Sequence, residues 1–205
     1  MDNQSFPTKG NLILAKNSLV LARQGYELMD KKRNILIREL MSLVEQAKDI
    51  QMEIRTTFRT AYEALQKANM ELGSNFISDV ARNVPIEDTI EVKLRSIMGT
   101  EIPLVRYDAA TRTPAYAFYS TRESLDIARV SFEKVKDLTV KLSMVENSAY
   151  LLAANIKKAQ KRANALQNIT IPRYETLVSE IANALEEKER EEFTRLKVIK
   201  KMHTG

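Results

Sequence analysis

A mainly α-helical fold is predicted, in which the two ends of the chain pair as a long antiparallel coiled coil around a small irregular middle. Three observations predict it. Five of the ten glycines and prolines, Gly73, Pro85, Gly99, Pro103 and Pro114, crowd into residues 73 to 114, and these two residue types punctuate helices. Both flanking stretches carry apolar residues at alternating steps of three and four, the heptad pattern of a coiled coil. Each is too long for a compact core to cover. The expected segments are an N-terminal coiled-coil helix over 1–72, an irregular middle with a short helix and a β-hairpin over 73–122, a C-terminal coiled-coil helix over 123–202 kinked near Pro172, and a disordered tail at 203–205.

The first helix runs along a seam that starts Leu12, Ala15, Leu19, Ala22, Tyr26 and Met29 and ends Ala61, Ala64 and Ala68. Fifteen of its seventeen positions are apolar, Arg33 and Thr57 being the exceptions. A helix of that span is about 85 Å long at 1.5 Å per residue. Gly25 lies beside the seam and costs it only about 1 kcal/mol. The alanines near the end let a partner helix approach closely.

In the middle, Asn75 to Val84 reads as a short helix with Phe76, Ile77 and Val80 on one side. Ile90, Val92 and Leu94 then alternate with Glu91, Lys93 and Arg95, the period of a strand. Met98-Gly99-Thr100-Glu101 turns the chain into Ile102-Pro103-Leu104, where Pro103 marks an edge strand. Ala115 to Ser120 reads as a further short extended piece. A lone hairpin is marginal, so this one is expected to lean on the coiled coil or on a partner.

The second long helix repeats the seam from Ala128 to Leu166, with Ser131 the one polar residue among twelve positions. Two seams in one chain satisfy each other by folding back antiparallel; a homodimer satisfies them too. Past Leu166 the old phase fails at Thr170, Arg173 and Glu180. Re-phasing to Tyr174, Val178, Ile181 and Leu185, through successive steps of four from Leu166 by way of Thr170, restores it. Such a stutter unwinds a supercoil locally. Pro172 lacks a backbone donor and meets the carbonyl of Asn168, so a kink is expected in a helix that continues. Beyond it Lys188 and Glu192 enter the seam, the sign of a last stretch that outgrows its partner.

Composition excludes more than it assigns. There is no cysteine, and the one histidine, His203, lies at the far end. Five scattered glycines make no phosphate loop. With no nucleophile and general-base constellation, no catalytic site, cofactor or metal site is expected. The glutamates of 186–192 read as i, i+4 partners of Arg190 and Arg195 on a solvated helix face. A net charge of +5 spread over 32 basic and 27 acidic residues lacks the clustered, aromatic-laced patch of a nucleic-acid binder. No signal-like apolar segment opens the chain, and no apolar run reaches the roughly 20 residues that span a bilayer. A cytoplasmic protein, tied to a membrane only through partners, is expected.

Particular strings carry a resemblance. Pro7-Thr8, Leu12 with Lys16, Gly25-Tyr26 and the run Lys31 to Leu36 resemble the start of the D subunit of the V-type and archaeal-type rotary ATPases. Asn164-Ala165-Leu166, Ile171-Pro172 and Glu187 to Lys201 resemble the same family's C-terminal signature, and IMGTEIPLVRY is similar to its middle. Tyr26 stands where some members carry His. The resemblance covers nearly the whole chain in order. It implies a non-catalytic central-stalk rotor subunit, coupling ATP hydrolysis or synthesis in a ring of catalytic and non-catalytic subunits (A and B) to proton or sodium transport. The implied partners are those ring subunits, the small F subunit of the stalk and the funnel subunit (C, or d) above the membrane rotor ring. On that reading Lys9, Lys16, Pro172, Arg190, Arg195, Lys197, Lys200 and Lys201 form a partner interface, and Ile90, Val92, Leu94, Ile102 and Leu104 are singled out as the residues of the middle hairpin. The alternatives are a non-rotary coiled-coil adaptor and a membrane-curving helical dimer.

Overall fold

The computed structural model describes residues 6–85, 89–106, 114 and 116–203. Helix α1 covers Lys9–Leu72 and α2 covers Ser74–Arg82; strands β1, Glu91–Ile97, and β2, Thr100–Arg106, follow. A single 3-10 turn at Phe118–Ser120 precedes α3, Glu123–Ala165. A π turn over Leu166–Thr170 leads into α4, Ile171–His203. The chain divides into two compact units. One joins residues 1–34 to 156–205; the other is the continuous segment 35–155.

In the first unit α1 begins at a capping threonine. Thr8 Oγ1 accepts a hydrogen bond from the Asn11 amide at 3.2 Å, and Thr8 O accepts from Leu12 at 3.0 Å. The first bond satisfies one of the orphan donors of a first turn, and the second is the first intrahelical bond. The start of α1 runs antiparallel to the C-terminal helix. Lys9 pairs with Glu189, Arg23 with Glu175, and Arg33 with Gln160, the partner number falling as the α1 number rises. Ala15, Ala22, Ala159, Ala163 and Ile181 are buried between them.

The seam's change of phase is absorbed by the π turn. The Ile171 amide donates to Leu166 O, five residues back, and Thr170 Oγ1 donates to Ala165 O at 3.3 Å. A π turn holds one residue more than an α turn, and that is the single residue by which the pattern slips. The helix therefore continues through Pro172. The slip is a one-residue bulge inside one helix rather than the longer insertion of a stutter. Downstream the shifted phase faces inward: Ile181 is 3% exposed, Tyr174, Val178 and Leu185 are half-buried, and Arg173 and Glu180 are exposed. The last helix includes His203, which sequence alone places in a disordered tail.

In the second unit, segment 35–72 of α1 packs against α3 along both seams. Leu36 and Leu152 are fully buried, as are Ala61 and Ala68. Gln51 bonds Glu146 at 3.2 Å, Lys134 meets Glu53 at 3.0 Å, and Ser124 Oγ donates to Glu71 at 2.6 Å. Tyr62 stacks on Phe58 and sets its edge against Phe132, with centroids 5.8 and 5.5 Å apart. Helix α1 ends because Gly73 takes a φ of 87°, open to glycine at little steric cost. Helix α2 restarts at once, with Phe76, Ile77 and Val80 half-buried.

The hairpin pairs Glu91 with Arg106 through Ile97 with Thr100, antiparallel. Its two-residue turn, Met98-Gly99, has φ of 49° and 72°. Both are positive, as a type I′ turn requires. The 118–120 stretch, expected as an extended piece, is a 3-10 turn, and its backbone finds i→i+3 bonds, Ser120 to Ala117 and Thr121 to Phe118, instead of a strand partner. Of the rest of that expectation, Ala117 is extended, with φ −80° and ψ 128°, and Ala115 lies outside the described residues.

Candidate partner interface

Among the described residues no group of three His, Cys, Asp or Glu side chains is placed to hold a metal ion. No described helix is long and apolar enough to cross a membrane. What the molecule offers instead is surface.

In the first unit, the seam ends where α1 begins. Lys9 Nζ lies 3.0 Å from Glu189. That hydrogen bond and charge, helped by Glu192, hold the Lys9 ammonium above its ordinary pKa of 10.5. Helix α4 goes on past this point with nothing from α1 beside it. Every residue from 186 to 203 is exposed, including Phe193, Leu196, Val198, Ile199 and Met202. Arg190 pairs with Glu186, and Arg195 with Glu191 at 3.8 Å, both at i, i+4. Such exposed pairs are worth about 0.3–0.5 kcal/mol each. Lys16, Lys197, Lys200 and Lys201 are all exposed. The structure thus sets Lys9 against Glu189 and turns Arg190 to Glu186, with Arg195 to Lys201 strung along the stretch of α4 that follows. Lys16 stands a separate two turns along α1, and Pro172 is exposed just after the π turn.

Sequence reasoning missed a second stripe on this unit. Leu14, Leu21 and Leu28, seven residues apart, are all exposed on α1, with Ile13 and Val20 beside two of them. The signal was present, since a leucine every seventh residue off the main seam marks a second apolar line.

In the second unit the hairpin leans on α3 through β2. The Val105 amide donates to Met144 Sδ at 3.4 Å, and Ser148 Oγ lies 3.5 Å from Pro103 O while donating to Met144 O at 2.7 Å. Ile102 is buried and Leu104 half-buried, but Ile90, Val92 and Leu94 are exposed. The apolar side of β1 is therefore not the side that packs, although alternation alone suggests it.

The same unit holds an apolar cavity of about 410 Å³, lined by Leu65, Ile77, Val80, Val84, Leu125 and Phe132 among others. At its rim the Tyr116 hydroxyl donates to Asp126, and the Arg129 guanidinium sits 6.0 Å from the ring centroid. Burial, then the hydrogen bond and charge of Asp126, push the Tyr116 phenol above its ordinary 10.0, against the pull of Arg129.

The family model for the D subunit of ATP synthase matches residues 11–201. The V-type ATP synthase D subunit of Thermotoga neapolitana is 41% identical over 194 residues, which cover 95% of this chain and 96% of that protein. The A-type ATP synthase D subunits of Pyrococcus furiosus and Thermococcus gammatolerans are 37% and 36% identical over 197 residues, 95% of this chain and 92% of each of theirs.

Proposed function

We propose, from the premise that this chain belongs to the family of ATP synthase D subunits, that it is the central shaft of a V/A-type ATP synthase. In that role it couples ATP hydrolysis or synthesis in a catalytic ring to proton or sodium movement by turning. The observation that carries this reading is the uncovered end of α4. Residues 186–203 expose five large apolar side chains together with Arg190, Arg195, Lys197, Lys200 and Lys201. A stretch of that kind suits a sleeve of surrounding subunits, and the exposed Leu14, Leu21 and Leu28 line suits the same sleeve.

The ring subunits A and B are the partners proposed for this end, with Lys9 and Lys16 contributing from α1. The apolar cavity beside α2 is the proposed seat of the small F subunit of the stalk, and a funnel subunit completes the path to the membrane rotor. The chain is then peripheral to the membrane, on its cytoplasmic side, and held there by partners. A kink at Pro172 would offset the C-terminal arm, so that rotation presses on the catalytic subunits in turn.

The test is reconstitution with the ring subunits and a probe attached to the hairpin. ATP-driven rotation of the probe is the expected result. Ring hydrolysis that leaves the probe stationary would overturn the reading.

A further inference from the structure

We propose that the outer edge of β1 docks an extended segment of another polypeptide as a third strand, one whose side chains alternate between apolar and acidic. The inference concerns the hairpin alone and holds whether or not the chain turns as a shaft.

The direction of the backbone groups follows from two independent observations. The Val105 N–H is spent on Met144, and the Pro103 carbonyl points to Ser148. Both groups therefore face away from β1, which makes Val92 with Val105 and Leu94 with Pro103 the non-hydrogen-bonded pairs of the ladder. The turn gives the same phase. A two-residue hairpin closes on a bonded pair, here Ile97 with Thr100, so the bonded pairs continue at Arg95 with Ile102 and Lys93 with Leu104. This phase also explains why Pro103 is tolerated, since its missing N–H lies off the ladder. On β1 the N–H and C=O groups of Val92, Leu94 and Ser96 consequently point outward. Helix α3 covers the matching edge of β2. Among the described residues nothing covers the edge of β1, a row of unpaired donors and acceptors of the kind that accepts an added strand.

Side chains specify what the added strand must be. Val92 and Leu94 are 63% and 67% exposed on one face. The other face carries Lys93, Arg95 and Arg106 against the single carboxylate of Glu91, beside the buried Ile102 and half-buried Leu104 of β2. Glu91 approaches Lys93 at 3.7 Å, which leaves Arg95 without an ion pair among the described residues. A strand laid along β1 sets alternate residues against each face, so it is complementary when apolar residues meet Val92 and Leu94 and carboxylates meet Lys93 and Arg95. A second copy of β1 fits worse. Pairing its outward residues about Lys93 opposes Lys93 to Lys93 between two Glu91–Arg95 pairs, pairing them about Leu94 opposes Lys93 to Arg95 twice, and pairing them about Val92 sets Glu91 against Lys93 but joins only three residues of each strand. Like charges directly opposite one another are unfavourable.

The test uses the full chain and two capped synthetic peptides, Val-Glu-Val-Glu-Val-Glu-Val and its lysine counterpart. Amide exchange is read residue by residue. The glutamate peptide is expected to slow exchange at Val92, Leu94 and Ser96 by about tenfold or more, and the lysine peptide to leave it unchanged. The double variant Lys93→Glu, Arg95→Glu is expected to exchange the two peptides' roles. Leu94→Pro removes one outward N–H and no ladder bond, so it should abolish the effect while the Lys93 and Arg95 amides stay protected. Should that variant lose the hairpin, the charge-swap pair decides. Equal protection by both peptides, protection by neither, or protection that rises with protein concentration in the absence of peptide would each overturn the proposal.

Discussion

Two causes for the π turn at Leu166–Thr170 can be separated by experiment: the proline that follows it, or the phase of the seam. In a regular α-helix seven residues turn about 700°, some 20° short of two full turns, whereas eight turn about 800°, some 80° past them. Leu166 and Tyr174 are eight apart and both face inward. If the π turn closed with every residue kept, Tyr174, Val178, Ile181 and Leu185 would swing about 100° off the seam. Exposing Ile181 alone costs about 1.5–3 kcal/mol. Pro172→Ala should therefore leave the wide turn in place. It restores a donor worth about 0.5–1.5 kcal/mol and loosens the unfolded chain by about 0.4–1 kcal/mol, so stability should stay within about 1 kcal/mol of wild type.

Deleting Asn168, an exposed residue of the turn, brings Leu166 and Tyr174 to seven apart and removes the need for the bulge. It also leaves Pro172 inside a regular helix, at a cost of about 3 kcal/mol. Combining the deletion with Pro172→Ala should recover nearly all of that loss. The coupling read from urea unfolding of the four proteins should then be about 3 kcal/mol. Amide-resolved spectra should show the Ile171-to-Leu166 bond in wild type and in Pro172→Ala, and its absence from both deletion variants. If Pro172→Ala by itself closed the turn and exposed Ile181, the proline would be the cause and the phase argument would fail. A deletion variant as stable as the double variant would refute it equally.

Three further outcomes follow from single sites. Gly25→Ala should raise unfolding free energy by about 0.5–1 kcal/mol, because the new Cβ would meet Leu166 Cδ1 at 3.7 Å, an ordinary contact; a loss of stability in urea unfolding would show that the helices approach more closely there. Thr100→Val should be neutral or stabilising by about 1 kcal/mol, since Thr100 Oγ1 is buried with no hydrogen-bond partner, and a clear loss on thermal unfolding would reveal a bond to that hydroxyl. The raised phenol pKa of Tyr116 means that its contribution to stability is complete below the unfolded value near 10 and is lost as pH rises through the folded value; Tyr116→Phe should therefore unfold less steeply than wild type above about pH 10, and parallel curves would contradict the shift.

Much of this structure was legible because its dominant signal is a repeat. No residue of either heptad seam is exposed, Arg33 and Ser131 included. Arg33 is tolerated because its guanidinium reaches out to Asp30 and Gln160, while its stem covers the seam. The slip after Leu166 could be located, but not its form: periodicity reads as a stutter what the backbone takes up as a one-residue bulge. The hairpin was legible as a hairpin from alternation and from Met98-Gly99. Its packing was not, because alternation assumes that a face is buried. Here β2 is covered, at its outer edge through Val105 to Met144 and Pro103 to Ser148 and at Ile102 on the face that β1 fills with Lys93 and Arg95, so the face that packs is not the one whose β1 half is apolar. The candidate interface was half legible. The charges of α4 could be named, whereas the Lys9 to Glu189 contact that marks the end of pairing depends on the antiparallel register, which no local pattern specifies.

That end point bears on how the last helix holds its form. Beyond Glu189 some fourteen residues of α4 extend past the start of α1, and isolated helices shorter than about 12–15 residues are marginal in water. The i, i+4 pairs Glu186 with Arg190 and Glu191 with Arg195 supply together less than about 1 kcal/mol. Lys200, Lys201 and His203 in the final turn suit the negative end of the helix dipole, which adds about as much again. These local devices favour a helix without fixing where it points. The exposed Phe193, Leu196, Ile199 and Met202 recur every three residues and so wind slowly around the helix instead of forming one straight stripe. A helix meant for one fixed neighbour would gather its apolar residues on one side. A winding line presents apolar contact in successive directions, as the shaft role proposed above would require.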